Sequence, residues 1–277
     1  MRWLISLDGS PRADSAAQFA AELLQPGKDE VVLLGIAARE SSLKKLEKSL
    51  AALNQSLGAL VSEQLIHFGS TAEVIEKVAG SGSFDIALYG SRGRRGLTKV
   101  LFGSVAARLA HAISCSLLVV RKTPEPVKRI LICSTLDPFH TAPMEIGKNL
   151  AQAVTADVTI LHVMSQIPLI DQASLDQLEL TAEEAIARRT REGQALLDAQ
   201  QELQAAGLQT HSVIRHGLVI DEILDEVVSG DYDLLVIGSH AGPRTSRWQD
   251  ILVEDITNTV LLDTRCPVLI VRERKAN

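Results

Sequence analysis

A glycine-rich segment between residues 90 and 104 contains the residue types best suited to binding chemistry. An apolar run over residues 86–89 leads into Gly90, Gly93 follows, and Gly103 and Ser104 come after nine further residues. Glycine has no Cβ, so the backbone can approach a polyphosphate closely. Ser104 stands where a helical pattern begins, and its hydroxyl and the unpaired backbone N–H groups can face an anion. The segment therefore predicts a nucleotide-binding loop.

Positive charge accompanies these glycines, since the same segment contains Arg92, Arg94, Arg95 and Lys99. A flexible basic turn followed by a helix cap is the alternative interpretation. The complete order of strand, G-x2-G, nine residues, G-S and helix favours nucleotide binding over that alternative. The segment is not a Walker A motif, because no Gly-Lys-Ser/Thr ends it, and it is not a GxGxxG motif.

Length and composition indicate a globular protein that is long enough for two domains. The chain has 277 residues, of which 46% are hydrophobic and 22% charged, an ordinary balance for globular proteins. No apolar run approaches the length of a membrane span, and Asp8 comes too early for a signal peptide. Cys115, Cys133 and Cys266 form no CxxC pair and are odd in number, so each is expected to be a small buried hydrophobe rather than part of a disulfide framework. We expect a cytoplasmic protein.

Charge is distributed unevenly between the two halves. Residues 1–126 contain 15 Lys and Arg against 12 Asp and Glu, whereas residues 127–277 contain 13 against 22. The half that holds the glycine segment is therefore the one whose field tolerates a polyanion. The acidic half, with the low aromatic content of 3%, argues against a nucleic-acid surface.

An internal repeat organises the chain. Four segments recur in the same order, at offsets that grow from 127 to 151: 2–6 with 129–133, 31–36 with 158–163, 84–91 with 232–239, and 118–121 with 269–272. Four matched segments predict two copies of one domain, at residues 1–123 and 127–277, joined by a short linker with two prolines. The change of offset places an insertion between the second and third segments of the later copy.

Short apolar runs alternate with longer amphipathic stretches in both copies. The predicted strands are 2–7, 30–37, 63–68, 85–90 and 116–121, then 129–134, 158–164, 210–215, 233–238 and 267–272. The predicted helices are 12–24, 41–61, 71–80 and 104–113, then 140–154, 174–206, 218–229 and 250–263. This alternation predicts two tandem doubly wound α/β domains, each a five-stranded parallel sheet flanked by helices. Ligands of such sheets bind at the carboxyl ends of the strands, where Asp8 and Gly90 fall.

These features together resemble the universal stress protein family in its tandem form, whose fold is that of the adenine nucleotide alpha hydrolases. The resemblance covers essentially the whole chain and depends on Asp8-Gly9-Ser10 after the first strand, on the G-x2-G-x9-G-S loop, and on the closing strand 117–121. It implies that Asp8 lies by the adenosine end of ATP, that the backbone at Ile36-Ala37 contacts the base, and that the loop holds ribose and phosphates. The binding residues it implies are Asp8, Gly9, Ile36, Ala37, Gly90, Arg92, Gly93, Gly103, Ser104 and Val105.

The second copy departs from this pattern. Thr135 stands in the position of Asp8, Ala241 replaces the second glycine of the loop, and Glu254-Asp255 replaces Gly103-Ser104. Two carboxylates can satisfy a helix N-terminus themselves and would repel a triphosphate. The second copy is therefore expected to be a partner domain without an ATP site, although Arg244 and Arg247 leave room for another anion.

The sequence supports three hypotheses for function. The first is a stress-response protein that binds ATP, with or without Mg²⁺, in its N-terminal domain and acts through conformation or partners. The second is a slow ATPase or an autophosphorylating enzyme, for which no catalytic residue can be assigned. The third is a scaffold whose loop binds no nucleotide.

Asp8 could bind magnesium or orient a hydroxyl, or only cap a turn. The seven histidines show no metal-ligand spacing, and His162, within a strand, is expected to be a satisfied core histidine. No membrane or nucleic-acid partner is expected, and the two closing strands are expected to pair within the chain, with a homodimer as a further option.

Overall fold

The computed structural model describes residues 1–90, 104–121, 123, 126–136, 141–165, 180–239 and 256–273. The chain divides into two compact units, one formed by Met1–Glu125 with Arg265–Arg274 and the other by Pro126–Thr264 with Lys275–Asn277. Each unit is an α/β structure of mostly parallel strands with helices between them. The predicted fold class is confirmed.

The first unit follows the predicted order of strands and helices closely. Within its N-terminal segment, Met1–Glu125, the strands are β1 (Arg2–Leu7), β2 (Glu30–Ala37), β3 (Val61–Phe68), β4 (Ile86–Gly90) and β5 (Ser116–Val120), and the helices are α1 (Pro11–Glu22), α2 (Glu40–Leu57), α3 (Thr71–Ser81) and α4 (Ser104–Ala112). The five strands are parallel in the order β3-β2-β1-β4-β5. Seven consecutive residues of β2, from 31 to 37, are buried, as expected of a strand that helices cover on both faces.

The later part of the chain repeats this alternation. Its strands are β6 (Arg129–Cys133), β7 (Asp157–Ser165), β8 (Thr210–Gly217), β9 (Leu234–Ser239) and β10 (Val268–Arg272), and its helices are α5 (Ala142–Val154), α6 (Ala182–Ala187), α7 (Arg191–Ala205) and α8 (Val219–Gly230). Residues 256–263 are also helical. Strands β9, β6, β7 and β8 are parallel neighbours in that order.

The two closing strands pair with each other, as the sequence predicts. Strand β10 runs antiparallel to β5, with Val268 opposite Val119 and Ile270 opposite Leu117. Residues 117–120 and 268–271 are all buried. This pairing covers the apolar edge that β5 would otherwise present.

The single long helix predicted over 174–206 is wrong for its described part, which contains two helices. Helix α6 ends at a turn where Arg189 has a φ of 54°, and α7 begins after Thr190, whose Oγ1 accepts a hydrogen bond from the Gly193 N–H at 3.0 Å. A Cβ on Gly193 would lie 2.1 Å from the carbonyl oxygen of Ala185. The N-cap threonine and this close approach explain why the helix breaks here.

Three smaller expectations can be compared with the structure. His162 is half-buried and its Nδ1 lies 3.0 Å from the Ser134 carbonyl oxygen, which confirms that this strand histidine is satisfied. The cysteines form no disulfide, but only Cys115 is buried, whereas Cys133 and Cys266 are half-buried. Within the described residues, none of the helices combines the length and the hydropathy needed to cross a bilayer.

Candidate functional site

The first unit contains a cavity of about 800 Å³ at the carboxyl edge of its parallel sheet. Leu7 ends β1, Ile36 lies near the end of β2, and Gly90 ends β4. The described lining residues are Ser6, Leu7, Asp8, Ser10, Pro11, Arg12, Ile36, Ser70, Thr71, Ala72, Tyr89, Gly90, Val105 and Arg108.

The strand order explains why a crevice forms there. The chain leaves β1 toward β2 and β3 on one side, and then returns to place β4 on the other side of β1. Connections that depart in opposite directions from neighbouring strands leave a gap above their carboxyl ends. The cavity therefore lies at the topological switch point between β1 and β4.

The turn after β1 is held by its own side chains and by glycine. Asp8 accepts a hydrogen bond on Oδ1 from the Ser10 N–H at 2.9 Å, so it caps the turn while its side chain is exposed at the cavity. Gly9 has a φ of 72°, and a Cβ there would lie 2.9 Å from the backbone nitrogen of Leu46. Glycine is thus required by both the backbone angle and the approach of α2.

The first turns of three helices contribute to the cavity lining. Helix α1 begins with Pro11 after the N-cap Ser10, whose Oγ accepts a hydrogen bond from the Ala13 N–H at 3.3 Å. Helix α3 begins at Thr71 after Ser70, whose side chain makes no capping hydrogen bond within the described part of the chain. Helix α4 contributes Val105. Because helix N-termini present unpaired N–H groups and positive potential, their convergence favours an anionic ligand.

Gly90 has a packing role that the sequence interpretation did not include. A Cβ at this position would lie 3.0 Å from the Ala16 Cβ and 3.2 Å from the Ala13 Cα. Glycine therefore lets α1 pack directly on β4. Close approach of its backbone to phosphate remains a prediction.

The charged lining residues are two arginines and one aspartate among the described residues. Arg108, in the second turn of α4, donates from Nη2 to Glu76 Oε2 of α3 at 2.9 Å, and both side chains are partly exposed. Arg12 lies in the first turn of α1. Among these described lining residues the positive charges outnumber the negative one, which favours an anionic ligand, although Glu76 offsets part of the Arg108 charge.

The predicted binding residues divide into three groups. Asp8, Ile36, Gly90 and Val105 line the cavity. Gly9 and Ala37 are buried and are not among the described lining residues. The third group, Arg92, Gly93 and Gly103, lies outside the described residues, as does the side chain of Ser104.

Sequence reasoning missed several lining residues, chiefly Arg12, Ser70, Thr71 and Arg108. Ser70-Thr71 carried a usable signal, since a hydroxyl residue after a strand and before an amphipathic stretch indicates a helix N-terminus. The pair follows the strand predicted over 63–68, so its position at the carboxyl end of that strand predicts the same edge as Asp8.

The corresponding edge of the second copy has different residues. Gly69 and Gly217 are equivalent glycines, with φ of 149° and 155°. Leu218 takes the place of Ser70, and this residue is 73% exposed. Helix α8 then carries two acids in its first turn, Asp221 and Glu222. This described edge therefore has a leucine in place of the Ser70 hydroxyl, and one more acid in the helix's first turn than α3, which has Glu73 alone. Ala241, Arg244, Arg247 and Glu254-Asp255 lie outside the described residues.

A family model for the universal stress protein family matches the chain twice, over residues 1–121 and 126–272. The chain belongs to the universal stress protein family. Two matches in succession establish the tandem form, and together they account for nearly all of the sequence. The resemblance inferred from the motifs is therefore confirmed.

Solved structures similar to this chain agree with that assignment. A universal stress protein from Archaeoglobus fulgidus DSM 4304 has a TM-score of 0.66 at 17% identity, and the match covers 98% of each chain. A protein from Pseudomonas aeruginosa UCBPP-PA14 has a TM-score of 0.68 at 18% identity, covering 98% of this chain and 92% of that one. At such identities the likeness shows that the two-domain fold is shared.

Proposed function

We propose that the first unit binds an adenine nucleotide, with ATP as the preferred ligand, and that the protein acts in a stress response through its nucleotide-bound state. The observation that carries the proposal is the cavity at the β1–β4 switch point, where first turns of α1, α3 and α4 and two arginines meet. A volume of about 800 Å³ is within the range of small-molecule sites.

The proposed pose follows the family pattern on the residues present. Asp8 and the Ile36-Ala37 backbone would hold the adenosine end, and the segment from Gly90 to Val105 would hold ribose and phosphates. Mg²⁺ would accompany the phosphates as their counter-ion. The switch-point position of Asp8, Ile36 and Gly90 around one cavity supports this pose.

The described lining residues favour nucleotide binding without rapid hydrolysis. Phosphoryl transfer needs a base or a water-orienting group besides charge stabilisation. Asp8 is the carboxylate among the described lining residues, and its Oδ1 already accepts the Ser10 N–H. The Ser70 and Thr71 hydroxyls in the cavity support slow autophosphorylation as the second candidate.

We also propose that the protein is cytoplasmic and does not bind nucleic acid. The three cysteines, none of which forms a disulfide, support a cytoplasmic location. The acidic later half supports a protein that does not bind nucleic acid.

The test begins with the purified full-length chain. Mass spectrometry of any small molecule released on denaturation identifies a retained nucleotide, and titration calorimetry with ATP and Mg²⁺ measures affinity directly. We expect saturable binding of ATP. A chain that neither retains an adenine nucleotide nor binds ATP at millimolar concentration would remove the proposal in favour of the scaffold hypothesis. Label from γ-labelled ATP that remains on the protein would favour autophosphorylation.

A further inference from the structure

Arg108 differs from the other described lining residues because it belongs to the cavity and to an ion pair at once. It lies in the second turn of α4, one turn beyond the helix N-terminus that the family motif includes. Its Nη2 donates to Glu76 Oε2 at 2.9 Å, with 50% of the Arg108 side chain and 39% of the Glu76 side chain exposed. Glu76 is not among the described residues that line the cavity.

The chemistry of the pair leaves the guanidinium available to a ligand. Arginine has five N–H donors in a planar fork that matches phosphate geometry, and the contact with Glu76 occupies one of them. Ion pairs between partly exposed side chains are weak. A phosphate in the cavity can therefore compete for Arg108 without the cost of breaking a buried pair.

We propose that Arg108 contacts the anionic part of the ligand and sets a preference for the more highly charged nucleotide, and that Glu76 limits this preference. The inference rests on the proposed function and adds a specificity-determining residue to that site. Removing the Arg108 charge weakens binding in proportion to ligand charge, whereas removing the Glu76 charge strengthens it.

A purely structural role makes a different prediction. If the pair only ties α3 to α4, either substitution loosens the same helix contact. Binding of every ligand would then change in the same direction, whatever its charge. The sign of the Glu76 effect and the grading by ligand charge separate the two roles.

The experiment measures ATP, AMP and adenosine binding to the full chain by titration calorimetry, because these ligands share base and ribose and differ in charge. The variants are Arg108→Gln, Glu76→Gln and the double variant. Lys77→Gln is the matched control, since Lys77 is exposed, adjacent to Glu76 on the same helix and not among the described lining residues. Melting temperatures accompany each titration.

For Arg108→Gln we expect about a tenfold loss for ATP, a smaller loss for AMP and no change for adenosine. Glu76→Gln should tighten ATP several-fold, and the double variant should resemble Arg108→Gln. Tightening cannot arise from partial unfolding, so the Glu76 variant remains informative even if Arg108→Gln melts at a lower temperature. Lys77→Gln should leave all three affinities near wild type.

Two negative results have distinct meanings. Failure of the wild-type chain to bind ATP contradicts the proposed function itself. If the wild-type chain binds ATP, equal changes for all three ligands, or none, in Arg108→Gln would overturn the assignment of Arg108. Weaker ATP binding by Glu76→Gln would overturn it as well.

Discussion

At the residue scale, we expect glycine to be needed at positions 90 and 103 of the proposed loop for different physical reasons. Gly90 is explained by packing, since a Cβ would press on Ala13 and Ala16 of α1. The glycine at 103 is expected, from the family pattern, to leave the space that phosphates need. A substitution at 103 therefore tests the ligand, whereas a substitution at 90 would disturb the fold as well.

We predict that Gly103→Asp weakens ATP binding more than tenfold and leaves the melting temperature near wild type. The side chain would fill the space of the phosphates and place a like charge beside them. Gly80→Asp is the control, because Gly80 is exposed on α3 and a Cβ there meets nothing within 4 Å. Wild-type ATP affinity in a folded Gly103→Asp protein would show that the phosphates bind elsewhere.

The buried Cys115 thiol is expected to make the free energy of unfolding decrease at alkaline pH. Burial raises the pKa of the Cys115 thiol from 9.0 to about 11. The unfolded thiol ionises first as the pH rises, so the stabilisation is complete below about pH 9 and is lost between about pH 9 and pH 11.

We therefore predict that the urea midpoint of the wild-type chain falls more between pH 8 and pH 10.5 than that of Cys115→Ala, which has no thiol to ionise. Other groups titrate in this range in both proteins, so the difference between the two slopes is the quantity to measure. Parallel slopes would mean that the thiol ionises as readily in the folded protein as in the unfolded one. Cys133 and Cys266, which are half-buried, should be alkylated at pH 8 before Cys115.

The sequence predicts residues of the candidate site only where they belong to a recognisable motif. Asp8 follows β1 directly and Gly90 ends β4, and because both have recognisable turn chemistry the sequence predicts their position at the carboxyl edge. Arg108 has no such mark, because an arginine in a helix is ordinary until the packing of α3 beside α4 shows which face it occupies. Its pairing with Glu76, 32 positions earlier, depends on tertiary structure.

Elements were predicted best where apolar runs were unbroken. Strands β1 and β2 have the predicted bounds, and β3 begins two residues earlier than predicted. The described part of 174–206 was misassigned because helical residues continue on both sides of the break. Thr190 at the N-cap was the available signal, and the capping box of Thr181 with Glu184 marks the start of the preceding helix.

At this scale we predict that Gly193→Ala destabilises the protein by about 1 to 3 kcal/mol. Alanine normally stabilises a helix by about 0.5 to 1 kcal/mol relative to glycine, but here the Cβ would meet the Ala185 backbone at 2.1 Å. Gly80→Ala, in open space on α3, should show the ordinary stabilising sign. Thermal unfolding of both variants gives the comparison, and two variants of equal sign would contradict the close packing of α6 and α7.

For the whole molecule we predict one ATP per chain, bound by the first unit. Leu218 and Glu222 occupy the second-copy positions of Ser70 and Val74, and the sequence adds Thr135, Ala241, Glu254 and Asp255. Each carboxylate near a polyphosphate reduces the binding free energy by on the order of 1 kcal/mol or more. The second copy also has Ala241 in place of the second glycine of the loop. We therefore expect its ATP affinity to be at least about a hundredfold lower than that of the first unit.

Titration calorimetry on the wild-type chain should give a stoichiometry near one. Glu254→Gly with Asp255→Ser should begin to restore a second, weaker site. Glu183→Gln with Asp231→Asn removes two exposed acids elsewhere in the later half and serves as the control for net charge. A wild-type stoichiometry near two would refute the loss of the second site.

A fragment of residues 1–124 tests the role of β10. This fragment lacks the strand that pairs with β5, so a buried apolar edge becomes exposed. We predict that it forms a homodimer or aggregates, as measured by light scattering after size-exclusion chromatography. A stable, soluble monomer would count against the importance of the pairing.

Because β5 is synthesised well before β10, the pairing of these two strands can form only after a delay. In the order of synthesis, 147 residues separate Val120 from Val268. At ribosomal rates of about 5 to 20 residues per second, the two strands leave the ribosome about 7 to 30 s apart. During that interval the nascent first unit can fold its five parallel strands but presents the bare edge of β5 to neighbouring nascent chains on the same messenger. We therefore expect translation speed and ribosome spacing to influence whether this edge pairs with its own closing strand or with that of another copy.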